Sequence, residues 1–115
     1  MIDRVRGAVV ARGADYLSVD LGPVAVRVTT PPLVAAEAIV GREVDLHTAL
    51  VVRQDSWTLF GFADGEQCRM FEQVQTVSGI GPRIALGLVS VLGADDLRRA
   101  IDAEDLAALT QVPGI

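Results

Sequence analysis

The apolar residues of this chain recur every second position up to Ala63 and every third or fourth from Asp64 onward. A period of two belongs to strands with one buried face and a period near 3.6 to amphipathic helices. The chain therefore reads as a strand half joined to a helix half. Leu17, Val19 and Leu21 alternate with Tyr16, Ser18 and Asp20. After the turn pair Gly22-Pro23, Val24, Val26 and Val28 alternate with Ala25, Arg27 and Thr29. Val44, Leu46, Thr48, Leu50 and Val52 repeat the pattern against Glu43, Asp45, His47 and Arg53. Residues 2–11 and 57–62 supply two further strands, bounded by Gly13, by Gln54-Asp55-Ser56 and by Asp64-Gly65.

Between the third and fourth strands, residues 31–38 predict a short helix opened by proline. Five strands with a helix at that place is the order of an oligonucleotide/oligosaccharide-binding barrel. The expected organisation is a barrel domain over 1–63 followed by a helical domain over 64–115. In the second half, Asp64 with Gln67 three residues later resembles a capping box. Met70, Phe71 and Val74 fall on one helical face, and Ile84, Leu88, Val91 and Leu92 resume it after a glycine-rich break. Gly93 is expected to stop that helix, with two more helices following, one led by Asp95 or Asp96 and one over 102–110.

The helical half repeats itself at an offset of 35 residues. Phe71, Val74, Val77, Gly79 and Ile80 correspond to Leu106, Leu109, Val112, Gly114 and Ile115. Val-Ser-Gly-Ile thus matches Val-Pro-Gly-Ile, which points to a duplicated helix-hairpin-helix element. In the first copy Gly79 and Gly81 bracket Ile80, an apolar anchor, and Pro82 suits a first helical turn. Bare backbone N–H groups there can approach a phosphate, favoured by the positive end of the following helix. Val77, Ser78, Gly79, Ile80, Gly81 and Arg83 are the first candidate phosphate site, with Arg83 as a charged donor. Val112, Pro113, Gly114 and Ile115 are the second, which breaks off inside the hairpin. Such contacts fix position on DNA without reading sequence.

Charge does not point the same way. Ten arginines, no lysine and fifteen acids give a net charge of −5 among 115 residues. Bulk attraction to nucleic acid is excluded, so a DNA role rests on local geometry. With 50% hydrophobic residues the chain is no disordered polymer, and no apolar run is long enough to span a bilayer. The N-terminus lacks the pattern of a secretory signal, and the lone Cys68 fits a reducing compartment. A cytoplasmic protein without membrane contact is expected.

The opening Met-Ile-Asp-Arg-Val-Arg-Gly, the segment Val-Val-Arg-Gln-Asp-Ser-Trp-Thr-Leu-Phe-Gly-Phe at 51–62, and Val-Ser-Gly-Ile-Gly-Pro-Arg-Ile-Ala-Leu at 77–86 resemble the RuvA family. This is the Holliday-junction-binding subunit of the bacterial branch-migration complex, active in recombination and repair. The resemblance covers the whole chain. It implies a homotetramer, or an octamer of two such rings, that holds an open four-way junction DNA on one face. It also implies recruitment of a RuvB-type hexameric ATPase through a C-terminal domain absent from this sequence, with a RuvC-type junction resolvase as a further partner. The subunit itself would be no enzyme and need no cofactor. The family carries an acidic pin of two adjacent acids between the last two barrel strands. The matching positions here are Gln54 and Asp55, so one carboxylate is replaced by an amide and central repulsion should be weaker. Because Ile115 falls inside the second hairpin, the chain is expected to be a fragment.

Two other readings stand beside this one. A helix-hairpin-helix glycosylase or nuclease would need a catalytic Lys or Asp or a carboxylate cluster, and a pure assembly module would use the glycines only to pack helices. Single-strand binding by the barrel would need aromatic platforms. Only Tyr16 stands on the early strands, while Trp57, Phe60 and Phe62 are expected in core or interface packing. His47 reads as a surface histidine with no metal role, Cys68 as a packing residue, and Arg98-Arg99 as a solvated helix face.

Overall fold

Strand β1 (Arg4–Arg12) begins an antiparallel run that continues through β2 (Tyr16–Asp20) and β3 (Ala25–Thr29). Helix α1 (Pro32–Glu37) then leads to β4 (Glu43–Val52) and β5 (Trp57–Phe62). In this computed structural model, residues 1–76, 79–92, 96 and 99 are described. The strands close into a barrel in the order β1-β2-β3-β5-β4. All neighbours are antiparallel except β3 and β5, which meet in parallel at only two positions, Val28 with Leu59 and Thr29 with Phe60. The expected barrel, with its helix between the third and fourth strands, is what the chain forms.

β1 serves two partners in turn. It pairs with β4 from Arg4–His47 to Ala8–Glu43, and a bulge at Val10 then bends it to follow β2 alone. An extra residue of this kind sharpens the local twist and lets a strand turn a barrel corner. Inside, Val5, Val9, Leu17, Val19, Val28 and Leu46 form one buried cluster with Ala35 of α1 and Ala38 just past its end, so the helix fills one part of the core. Each such Val or Leu contributes roughly 1.5–3 kcal/mol by leaving water. The α1 C-terminus is tied down by Arg12, whose Nη1 donates to the carbonyls of Ala36 at 2.8 Å and Ala38 at 3.0 Å.

The strand periodicity holds in the middle of each strand and fails at its ends. Leu21 and Val24, expected inward, are exposed because they flank the turn at Gly22-Pro23, where no strand lies opposite. On β4 the buried side changes between Thr48 and Ala49, both buried, and Val52 is exposed. Thr48 sits inside because its Oγ1 donates to the Ile2 carbonyl at 2.6 Å.

The chain divides into two compact units, Met1–Cys68 and Arg69–Ile115. Helix α2 (Gly65–Val74) starts where the sequence pattern placed it: the Gln67 N–H donates to Asp64 Oδ1 at 2.7 Å, the N-cap half of a capping box. Cys68, Met70, Phe71 and Val74 are buried along it. Helix α3 (Pro82–Val91) buries Ala85, Leu86, Leu88 and Val89. Val91, expected on that face, is instead exposed, and Leu92 ends the helix in extended conformation with its N–H on the Leu88 carbonyl. Gly93 and the two helices expected after it lie outside the described residues, apart from Asp96 and Arg99.

Candidate nucleic-acid interface

The first hairpin is described from Gly79 onward. Gly79 has φ of +83°, the left-handed region that side chains disfavour, and nothing lies within 4 Å of the place a Cβ would occupy. The bend is therefore open on its outer side. Ile80 is half-buried. Gly81 is extended, at φ −90° and ψ −179°, and forms the N-cap of α3 without any side-chain hydrogen bond to the helix. Pro82 stands in the first turn, where its missing N–H costs nothing, and Gly81 accepts the Ala85 N–H at 3.0 Å. No acid stands in that first turn, and Arg83 is exposed beside it. An α-helix leaves its first amides without intrahelical partners. Here a glycine supplies the cap, so the positive end of α3 carries no side-chain oxygen from that position.

Val77 and Ser78, and the second hairpin at Val112, Pro113, Gly114 and Ile115, lie outside the described residues. So do Arg98 and the acids Asp95, Asp102, Glu104 and Asp105.

Gln54 and Asp55 form the exposed tip of the β4–β5 hairpin. The turn is closed by the Arg53 N–H donating to the Ser56 carbonyl at 2.8 Å, directly beyond the pair Val52–Trp57. β3 reaches β5 only at Leu59 and Phe60, and the β1–β4 register ends at Arg4–His47. Val51, Val52, Trp57 and Thr58 consequently pair only with one another, and the tip is carried on a narrow two-stranded ribbon.

The aromatic residues of β5 divide sharply. Phe60 and Phe62 are fully buried, as expected. Trp57 is 72% exposed, so of the two roles expected for it, core or interface packing, the core role does not hold. The reason is positional: an odd number of residues separates it from the buried Phe60, so it faces the other side of β5, and it stands one residue past the turn, beyond the reach of β3. Counting residues from the turn would have found it. Tyr16 is no open stacking platform either, because the Arg27 guanidinium lies over its ring at 4.5 Å from the centroid.

Elsewhere on the barrel, Arg4 grips the Asp45 carboxylate with Nε at 2.6 Å and Nη2 on the second oxygen. This hydrogen bonding, with the positive charge behind it, holds Asp45 below the usual carboxylate range. His47 is half-buried opposite Arg4 and Phe62. Among the described residues, no group of three or more His, Cys, Asp or Glu side chains comes together as a metal site would require. Cys68 is buried and in no disulfide.

Residues 1–61 match the family described as the RuvA N terminal domain, and residues 71–115 match the SAM-like helix-hairpin-helix tandem. The second match spans both copies of the repeat. Among curated proteins, the chain is 53% identical over all 115 residues to the Holliday junction branch migration complex subunit RuvA of Thermobifida fusca, covering 57% of that protein. It is also 53% identical to the subunit of that name from Beutenbergia cavernae, covering 58%, and 44% identical to that from Cutibacterium acnes, covering 57%. The chain thus spans a little over half the length of these relatives.

Proposed function

This chain belongs to the RuvA family, and on that premise we propose that it is the junction-gripping part of a structure-specific, non-enzymatic DNA-binding subunit. The DNA is a four-way Holliday junction. The observation that carries the reading is the open left-handed bend at Gly79 running into the glycine-capped start of α3. That arrangement offers main-chain amides and a helix dipole to an anion, with no side-chain cap from Gly81 on the helix start. Gly79, Ile80, Gly81 and Arg83, with Val77 and Ser78 before them, take one phosphate. Val112, Pro113, Gly114 and Ile115 begin the second, equivalent grip. The barrel domain, 1–63, carries Asp55 and Gln54 to the crossover, and 64–115 supply the hairpins.

One hairpin pair offers few contacts, and a net charge of −5 offers no general attraction. Assembly into a four-fold tetramer, or an octamer of two rings, resolves this, because four copies add their weak grips on four equivalent arms. A RuvB-type hexameric ATPase and a RuvC-type resolvase are the partners that fit a junction held open in this way. The work is cytoplasmic, and among the described residues no helix is long and apolar enough to cross a membrane.

The test is a competition gel shift with the protein carrying this sequence. A synthetic four-way junction competes against duplex of equal length at one salt concentration, because affinities at different salt are not comparable. Clear preference for the junction is expected, and equal affinity for the two refutes the proposal.

A further inference from the structure

The largest exposed aromatic surface of the described chain stands beside the acidic tip. Trp57 is 72% exposed and its cross-strand partner Val52 is exposed too, whereas Phe60 and Phe62 farther along the strand are closed off. An indole left in water at the end of a narrow ribbon is not needed for the barrel, whose buried cluster does not include it. Two apolar residues are also too small a patch for a protein interface, which takes some 800 Å² from each partner.

The neighbouring charges narrow the choice of ligand. Asp55 lies two residues away, well inside the Debye length of about 10 Å at 0.1 M salt, and Gln54 adds no charge of its own. A phosphate approaching the tip meets a carboxylate. A nucleobase presents a neutral π-face, which the carboxylate does not repel and an indole plane can cover. We propose that Trp57 stacks on an unpaired base at the crossover, so that the tip excludes the backbone with Asp55 while holding a displaced base with Trp57. This rests on the junction-binding reading above and deepens it.

The stiffness of the ribbon matters here. The Arg53–Ser56 hydrogen bond and the Val52–Trp57 pairing hold the backbone under the ring in place before DNA arrives. The main chain then needs little ordering on binding, which leaves the side-chain rotamer as the freedom to be lost.

2-Aminopurine, an adenine analogue quenched when stacked, is placed at the crossover of a synthetic junction, and in a second junction ten base pairs along an arm. The protein and its Trp57→Ala and Trp57→Phe variants are titrated against both, with gel-shift affinity and assembly mass measured alongside. Trp57→Ala is expected to lower junction affinity about tenfold, leave duplex affinity unchanged, and lose the binding-linked change at the crossover probe only. Trp57→Phe should retain most of both signals, which separates stacking from loss of fold.

Wild-type junction preference with unchanged affinity and probe response in Trp57→Ala would overturn the stacking role while leaving the junction reading intact. An altered assembly mass in Trp57→Ala would overturn it in favour of a subunit contact. Failure of the wild type to prefer the junction would overturn both.

Discussion

Gly61 faces Val28 across the barrel seam so closely that a Cβ on the glycine would lie 2.4 Å from Val28 Cγ1. The neighbouring Leu59 and Phe60 carry the only β3–β5 pairings. Gly61→Ala should therefore force β5 away from β3 and cost about 1–3 kcal/mol of stability, as overpacking of a filled core does. Urea unfolding of the variant checks this. An unchanged midpoint would mean that Val28 can turn aside freely.

Arg12 secures the end of α1 from a distance of more than twenty residues in sequence. Its Nη1 satisfies carbonyls of Ala36 and Ala38 that a helix C-terminus otherwise leaves open. Arg12→Ala is expected to lower stability by about 1–3 kcal/mol, the range for losing hydrogen bonds made by a charged group. Amide exchange should rise first over residues 34–38.

At Gly79 the two costs of substitution separate. Space is open, so Gly79→Ala creates no clash, but an L-residue in the left-handed region costs about 1–2 kcal/mol. The bend is expected to relax and turn its amides away. Junction affinity should fall about tenfold or more while assembly mass and barrel melting stay as they are. Loss of the assembly instead would identify these glycines as packing elements.

Gln54→Glu and Asp55→Asn move the charge of the tip in opposite directions. Repulsion between the tip and crossover phosphates should open more base pairs in the first variant and fewer in the second. Permanganate reactivity of crossover thymines should rise roughly two- to threefold with Gln54→Glu and fall with Asp55→Asn, with both differences shrinking at high salt.

The pair Arg4–Asp45 sets a small pH dependence of defined sign. Asp45 titrates lower in the folded chain than its unfolded value of about 3.9, so the pair stabilises the fold above that value. This contribution disappears as pH falls through the lower folded value. Asp45→Asn should accordingly be slightly less stable at pH 7 and lose less on acidification, seen as converging urea midpoints between pH 5 and 2. The groups lie in water, so the effect is small.

Much of this architecture was legible in the residues. Leu17, Val19, Val28 and Leu46 announced the barrel interior by alternation, and Asp64 announced the start of α2. What failed did so for two reasons. A period says which way a side chain points, not whether another strand or helix is there to cover it, and Val24 and Val91 carry the right phase yet meet solvent. A phase can also change within a strand: β4 switches its buried side between Thr48 and Ala49, which leaves Val52, with its partner Trp57, on the outer side. A left-handed bend was legible in the glycine pair of the hairpin, but only Gly79 adopts it, while Gly81 is extended. The clamp of Arg12 on α1 joins positions that no local pattern connects.

The continuous hydrogen-bonded ring has a consequence for crowding. Sheets with a bare rim recruit further strands and zip into fibrils. In the barrel, β1 and β4 seal against each other, and β3 and β5 close the remaining gap. Strand addition is thereby confined to the short outer edges of the β4–β5 ribbon, where Val51, Val52, Trp57 and Thr58 pair only with one another.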